Sequence, residues 1–187
     1  GMMVMGLSVS AEETGDIVEL TGVTAIAETL EDGQAVTCVM IEYPGEVAAG
    51  TVSLSSYKVP GRKISKVYVN NSGEKGEAEA QGKYVFVELS VDLTPGAGEG
   101  GTLLYANGEN MRLPINLTIQ QTANVTLASG DIVEAGSFTN TAEQNLLVDE
   151  FLELTYTNPE DGSELPYRLY IPEGYEEKGE EEALPLV

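Results

Sequence analysis

From about residue 16 to residue 122, apolar and polar residues alternate in short runs separated by Gly, Pro, Asn and Asp. Alternation puts successive side chains on opposite faces of an extended chain, so the pattern predicts half-buried β-strands rather than helices. In 21–28, Val23, Ala25 and Ala27 lie on one side. Glu31-Asp32-Gly33-Gln34 supplies a turn and 35–43 resumes as strand, so the pair reads as a hairpin. The run 52–59 follows a Pro-Gly and an Ala-Ala-Gly connection, Pro60-Gly61 makes the next turn, and 64–70 sets Val67 and Val69 on one face. Residues 71–82 form a polar loop. In 84–91, Val85, Val87, Leu89 and Val91 face one way while Tyr84, Phe86 and Glu88 face the other, the mark of a half-buried antiparallel strand. The Gly-rich stretch 92–110, with Pro95, Asn107 and Asn110, reads as a long loop apart from a short run at 102–105. A last strand follows at 113–122, with Ile115, Leu117 and Ile119 to one side.

About seven short strands, regular turn clusters and no convincing helix predict an all-β fold for 16–122, a β-sandwich of immunoglobulin type. The Cys and Trp marks of antibody domains are missing, and other sandwiches do without them. Beyond Ala123 the texture changes: 125–136 is polar with scattered apolar residues, 137–145 is rich in Thr and Asn, and 123–149 reads as a linker. The stretch 145–154 fits a short amphipathic helix through Leu147, Phe151 and Leu154, or the lead into a strand. Strand is favoured from Phe151 onward, where Leu152, Leu154 and Tyr156 alternate with Glu153 and Thr155. Asn158-Pro159-Glu160-Asp161-Gly162-Ser163 is a strong turn and 165–171 a second strand, so 150–171 forms a hairpin. No internal repeat is evident.

Composition narrows the chemistry. The 187 residues carry 31 Asp and Glu against 9 Lys and Arg, for a formal charge of −22, with no His, no Trp and one Cys. Without His, these residues hold no Ser-His-Asp or Cys-His relay and no imidazole base. A charge of this sign repels phosphate backbones and anionic membranes, so nucleic acid is an unpromising partner. Cys38 alone excludes an internal disulfide framework and a Cys-rich metal site. The 42% apolar fraction marks a chain that folds.

Both ends carry expectations of their own. Residues 1–11 are apolar and uncharged and run into Glu12-Glu13, with Val9-Ser10-Ala11 as a small-residue cleavage site. They fit the back half of a secretory signal peptide, against the alternative of a cytosolic protein with a tag-derived glycine. A membrane span needs about 20 apolar residues, more than this stretch offers. At the other end, an acidic run at 173–182 gives way to Ala183-Leu184-Pro185-Leu186-Val187, the opening of a strand. The simplest expectation is truncation at both ends of an exported protein.

Asp161-Gly162-Ser163-Glu164-Leu165-Pro166-Tyr167-Arg168-Leu169-Tyr170-Ile171-Pro172-Glu173-Gly174-Tyr175 resembles the opening hairpin of bacterial secreted esterases of the α/β-hydrolase superfamily. These are polyhydroxybutyrate-depolymerase-like enzymes with an N-terminal immunoglobulin-like domain. Residues 184–187 resemble the strand that, in that family, runs into a His-Gly-x-Gly oxyanion motif. Upstream, Asp32-Gly33-Gln34-Ala35-Val36-Thr37, Arg62-Lys63-Ile64-Ser65-Lys66-Val67-Tyr68-Val69-Asn70 and Gly82-Lys83-Tyr84-Val85-Phe86-Val87-Glu88-Leu89 are similar to the family's accessory domain. The resemblance covers about 16–187. It implies a sandwich, a linker at 123–149 and, from 150, the first hairpin of a truncated catalytic domain. It also implies a partner in cis, the remaining catalytic domain, and an ester substrate for the whole enzyme. A homo-oligomer formed through the sandwich is a further expectation. The family's Gly-x-Ser-x-Gly nucleophile elbow is absent, so no catalytic, cofactor or metal residue is carried over and the fragment should be inert.

Individual residues offer little more. Arg168 either anchors its hairpin through an ion pair or is a solvated strand charge. Cys38 reads as a small buried hydrophobe. The 173–182 run lacks the alternating ligands and Gly turn of a calcium loop and reads as solvated. Asn70-Asn71-Ser72, Asn116-Leu117-Thr118 and Asn124-Val125-Thr126 match the glycosylation pattern and, in a bacterial chain, carry no meaning. Tyr43, Tyr57, Tyr68, Tyr84 and Tyr105 raise the alternative of a free-standing adhesion or carbohydrate-binding module with an aromatic platform.

Overall fold

The period-two runs become strands. In the computed structural model, which describes residues 15–31, 33–91, 101–146 and 151–172, β1 (Gly22–Leu30) and β2 (Gly33–Ala48) pair antiparallel, with Val23 opposite Ile41 and Ala25 opposite Val39. Gly33 takes a φ of 131° at their turn, a conformation open mainly to glycine. The register shifts between Ile26 and Ala27, so Thr37 becomes the extra residue of a bulge. β4 (Lys63–Asn70) and β5 (Gln81–Ser90) extend the sheet, and β12 (Ala142–Asn145) closes its far edge in the order β12-β1-β2-β5-β4. A second sheet has the order β11-β8-β3, from β3 (Tyr57–Lys58), β8 (Thr118–Gln121) and β11 (Gly136–Thr139). The remaining strands form three hairpin pairs: β6 (Leu103–Ala106) with β7 (Glu109–Arg112), β9 (Val125–Thr126) with β10 (Ile132–Val133), and β13 (Phe151–Thr157) with β14 (Glu164–Tyr170). The chain divides into two compact units, Gly1–Gln144 and Asn145–Val187.

The core of the first unit fills the space between the larger sheets. Val39, Ile41, Val69, Val85 and Val87 from the five-stranded sheet form one buried cluster with Tyr57, Ile115 and Ile119. This is the packing expected of an immunoglobulin-like sandwich.

The structure departs from the expected elements in three places. The run 52–59 keeps only Tyr57–Lys58 as strand, because Leu54–Ser56 is a 3-10 turn in which Ser56 Oγ accepts from Ser53 N at 2.9 Å. Local serine bonds of this kind compete with a sheet ladder. The run 113–122 keeps only Thr118–Gln121, since Ile115 N donates to Glu143 Oε1 at 2.8 Å and Leu117 N to Asn140 Oδ1 at 2.7 Å. The 123–149 linker is the largest departure. Its residues supply β9 to β12, and Val125, Leu127 and Val133 are 2–4% exposed within the common core. Val125, Leu127 and Val133 do fall on alternate positions, but the strands that hold Val125 and Val133 are two residues each, too short for a period to be read.

A polar group sits among the apolar ones. Tyr43 on β2, Tyr57 on β3 and Gln121 on β8 are all buried. Tyr43 OH donates to Gln121 Oε1 at 2.6 Å and lies 2.7 Å from Tyr57 OH. With its single proton committed to Gln121, Tyr43 must accept from Tyr57. Gln121 Nε2 in turn donates to the carbonyls of Ala123 and Val133, both at 3.0 Å, and of Glu134 at 3.2 Å. Burial pushes both phenols well above the ordinary tyrosine range, so they stay neutral.

Tyr43→Phe removes Gln121's donor and Tyr57's acceptor together, and should lower stability by about 1–3 kcal/mol, read as a lower urea midpoint at unchanged slope. Tyr57→Phe keeps the Tyr43–Gln121 bond and should cost less. A larger loss for Tyr57→Phe would contradict the assigned direction of the bonds.

Candidate docking surface

The second unit is a hairpin whose two faces differ. Register pairs Leu152 with Leu169, Leu154 with Tyr167 and Tyr156 with Leu165. Because alternate pairs share a face, these side chains form one apolar surface. They are between 37% and 63% exposed. The opposite face carries the pairs Phe151–Tyr170, Glu153–Arg168, Thr155–Pro166 and Thr157–Glu164. There the Phe151 and Tyr170 rings sit 5.5 Å apart and tilted, and Arg168 Nη2 meets Glu153 Oε1 at 3.0 Å.

The connecting turn fixes this register locally. Asn158 N donates to Ser163 O and Gly162 N to Asn158 O, each at 2.8 Å, with Gly162 at φ 72°. Asp161 Oδ1 accepts from Ser163 Oγ at 2.6 Å and from Ser163 N at 2.9 Å. The Ser163 hydroxyl and amide hold the Asp161 carboxyl below the ordinary aspartate value. Turn chemistry, not a core, sets the hairpin. A two-stranded hairpin is marginal on its own in water, and an open apolar face of this extent marks an interaction surface.

The other residues singled out from sequence lie elsewhere. Arg168 makes an ion pair, but an exposed pair of this type contributes less than about 1 kcal/mol. Cys38 is fully buried, and burial pushes its thiol up to about 12, so it is a packed, protonated side chain. Among the described residues the tyrosines do not gather on one face: Tyr43 and Tyr57 lie in the sandwich core, while Tyr68 is buried on the opposite face of the five-stranded sheet, stacked on Phe86, with half-buried Tyr84 on that same face. The Tyr105 side chain and the 173–182 run lie outside the described residues. Asn70 is buried and spends its amide on its own loop, whereas Asn116 and Asn124 are exposed.

A groove of about 500 Å3 in the first unit is lined by Val36, Val59, Arg62, Thr102, Leu113 and their neighbours. Among the described residues, its lining contains no carboxylate and no thiol. Among the described residues, no three His, Cys, Asp or Glu side chains converge on a point where a metal could sit. What sequence reading missed is the shared face of Leu152, Leu154, Tyr156, Leu165, Tyr167 and Leu169. The length of the 158–163 turn, which sets the register, was the signal for it.

Comparison with known proteins places these features. A family model, the esterase Ig-like N-terminal domain, matches residues 22–134. A crystal structure of a thermostable esterase is similar with 34% sequence identity and a TM-score of 0.72, over 82% of this chain and 43% of that one. The chain therefore spans less than half the length of that esterase. The matched share is more than Gly1–Gln144 alone supplies, so the likeness reaches into the second unit. No curated protein sequence matches the chain.

Replacing Leu154 and Tyr167 together by Asp should lower the fluorescence of a hydrophobic dye such as anilinonaphthalene sulfonate severalfold. The unfolding midpoint of the first unit should stay within about 0.5 kcal/mol of the parent. Undiminished dye binding would show that this face is not the exposed apolar surface of the molecule.

Proposed function

The chain belongs to the family of esterase Ig-like N-terminal domains, and from that premise we propose that it serves a serine carboxylesterase as its accessory domain, joined in cis to a catalytic domain that begins with the β13–β14 hairpin. The observation that carries this reading is the apolar face of that hairpin. Its side chains match what a strand pair needs in order to enter a larger sheet covered on both faces. The similarity to a thermostable esterase beyond the first unit supports the same assignment.

The division of work follows from the residues. With no His, these residues supply no imidazole base, and the groove offers no substitute. In the whole enzyme, the resemblance to secreted α/β-hydrolases implies acyl transfer through a Ser nucleophile, a His base and an oxyanion hole, all outside this chain. The sandwich contributes a rigid body, and the hairpin contributes apolar side chains that bring roughly 1 kcal/mol each when half their surface leaves water. Export belongs to the same proposal, supported by the leader-like run at 1–11 and the charge of −22. So does self-association of the sandwich, supported by the exposed Leu54, Met111 and Leu113 of the first unit. No helix among the described residues is long and apolar enough to cross a membrane.

The test compares this 187-residue chain with the product of the complete reading frame. The complete protein should hydrolyse p-nitrophenyl butyrate and lose that activity to a serine-directed sulfonyl fluoride. The chain alone should match the buffer rate. Ester hydrolysis by the chain itself, or a complete protein inert toward esters, would overturn the proposal.

A further inference from the structure

The five-stranded sheet has a second buried cluster, on the face turned away from the sandwich core. Ile26 on β1, Cys38 on β2 and Phe86 on β5 are 1% exposed or less, and Tyr68 on β4 stacks on Phe86 at 5.1 Å between centroids. The outward face of an antiparallel sheet is ordinarily wetted, so these side chains require a cover. Among the described residues, the 71–80 connection from β4 to β5 reaches the side chains around this face through Lys75 Nζ and Gly76 N.

This connection is tied at both ends. At its root, Asn70 Oδ1 accepts from Gly73 N at 3.0 Å, and its Nδ2 donates to the carbonyls of Glu74 at 2.8 Å and Glu77 at 2.9 Å. Gly82 lies so close that a Cβ there would fall 2.1 Å from the Asn70 carbonyl. Midway, Gly76 N donates to Tyr68 OH at 2.7 Å. At the tip, Lys75 Nζ reaches Glu28 Oε2 on β1 at 2.7 Å, Thr37 Oγ1 at 3.4 Å and Glu88 Oε1 at 3.8 Å. The Thr37 hydroxyl donates to the same Glu28 oxygen. Glu28 on β1 and Tyr68 on β4 belong to strands about 14 Å apart at ~4.8 Å per strand, and Lys75 and Gly76 of the connection reach one each.

The cover is held by polar bonds rather than by its own apolar surface. Residues 71–80 read Asn-Ser-Gly-Glu-Lys-Gly-Glu-Ala-Glu-Ala, most of them exposed, with Gly73 at φ 74° and Gly76 at φ 114°. Segments with few buried apolar contacts open at lower cost than the sheet beneath them. Partial burial pushes the Glu28 carboxyl upward, but Lys75 and Thr37 outweigh it and hold the group below the ordinary glutamate value, so the latch is an ion pair at neutral pH.

We propose that residues 71–80 form a strap, latched by Lys75 on Glu28, that opens as a local unit and uncovers the Ile26, Cys38 and Phe86 face while the sandwich stays folded. The one cysteine of the chain reports on it directly. Labelling of the 187-residue protein with a thiol-specific disulfide reagent should proceed under native conditions. Its rate should depend on urea much less steeply than global unfolding does. Lys75→Met should raise the rate about ten- to a hundredfold while the rate keeps its shallow urea dependence, and Glu28→Gln should give an intermediate rise. A wild-type rate with the full urea dependence of unfolding would overturn the strap, and that measurement needs no variant. Unchanged rates in folded Lys75→Met would overturn the latch.

Discussion

The first unit turns on the amide of Gln121. Its carbonyl oxygen takes the Tyr43 proton from β2, and its nitrogen donates to the Ala123, Val133 and Glu134 carbonyls, with Tyr57 completing the chain from β3. One buried side chain thus ties the five-stranded sheet, the three-stranded sheet and the segment beyond residue 122 to a common point. Burying an amide without partners costs a few kcal/mol, so the arrangement is stable only when all three bodies are docked. Apolar packing alone tolerates sliding of one sheet over the other. The Gln121 bonds do not, and they give the sandwich a single registration.

How much of this was legible follows the range of each interaction. The strands that pair within one face-patterned block, β1, β2, β4 and β5, are visible as alternation because the core they bury is continuous along each strand. The sandwich and the hairpin turn at 158–163 were readable for the same local reason. Features resting on distant partners were not. Gln121 looks like an ordinary polar position, and nothing near it in sequence announces Tyr43, 78 residues away. Val125, Leu127 and Val133 sit in the core from a segment whose strands, β9 and β10, are only two residues each, so it read as a linker. Ser53 and Ser56 turned an apparent strand into a 3-10 turn through bonds that propensity ranks weigh only weakly.

The docking surface shows the same divide at one remove. Period-two reading finds β13 and β14 separately, and their register then brings Leu154 beside Tyr167 and Tyr156 beside Leu165. Pattern can say which side chains share a face; whether anything covers that face is a property of the rest of the molecule. The Arg168–Glu153 pair on the opposite face illustrates the limit from the other side. The ion pair exists, but its exposure leaves it too weak to anchor anything.

The two units therefore stand on different physical footings. The sandwich closes its own core around the Gln121 bonds, whereas the hairpin is built from contacts close in sequence, from Thr157 opposite Glu164 outward to Phe151 opposite Tyr170. Short loop closure makes such a hairpin cheap to form and quick, but it gains little stability until its apolar face leaves water. A high negative charge reinforces the difference, since it keeps the sandwich surface soluble while the Leu- and Tyr-rich face stays uncharged. Electrostatic repulsion disfavours random contact between chains, and the uncharged face remains the place where association releases the most water.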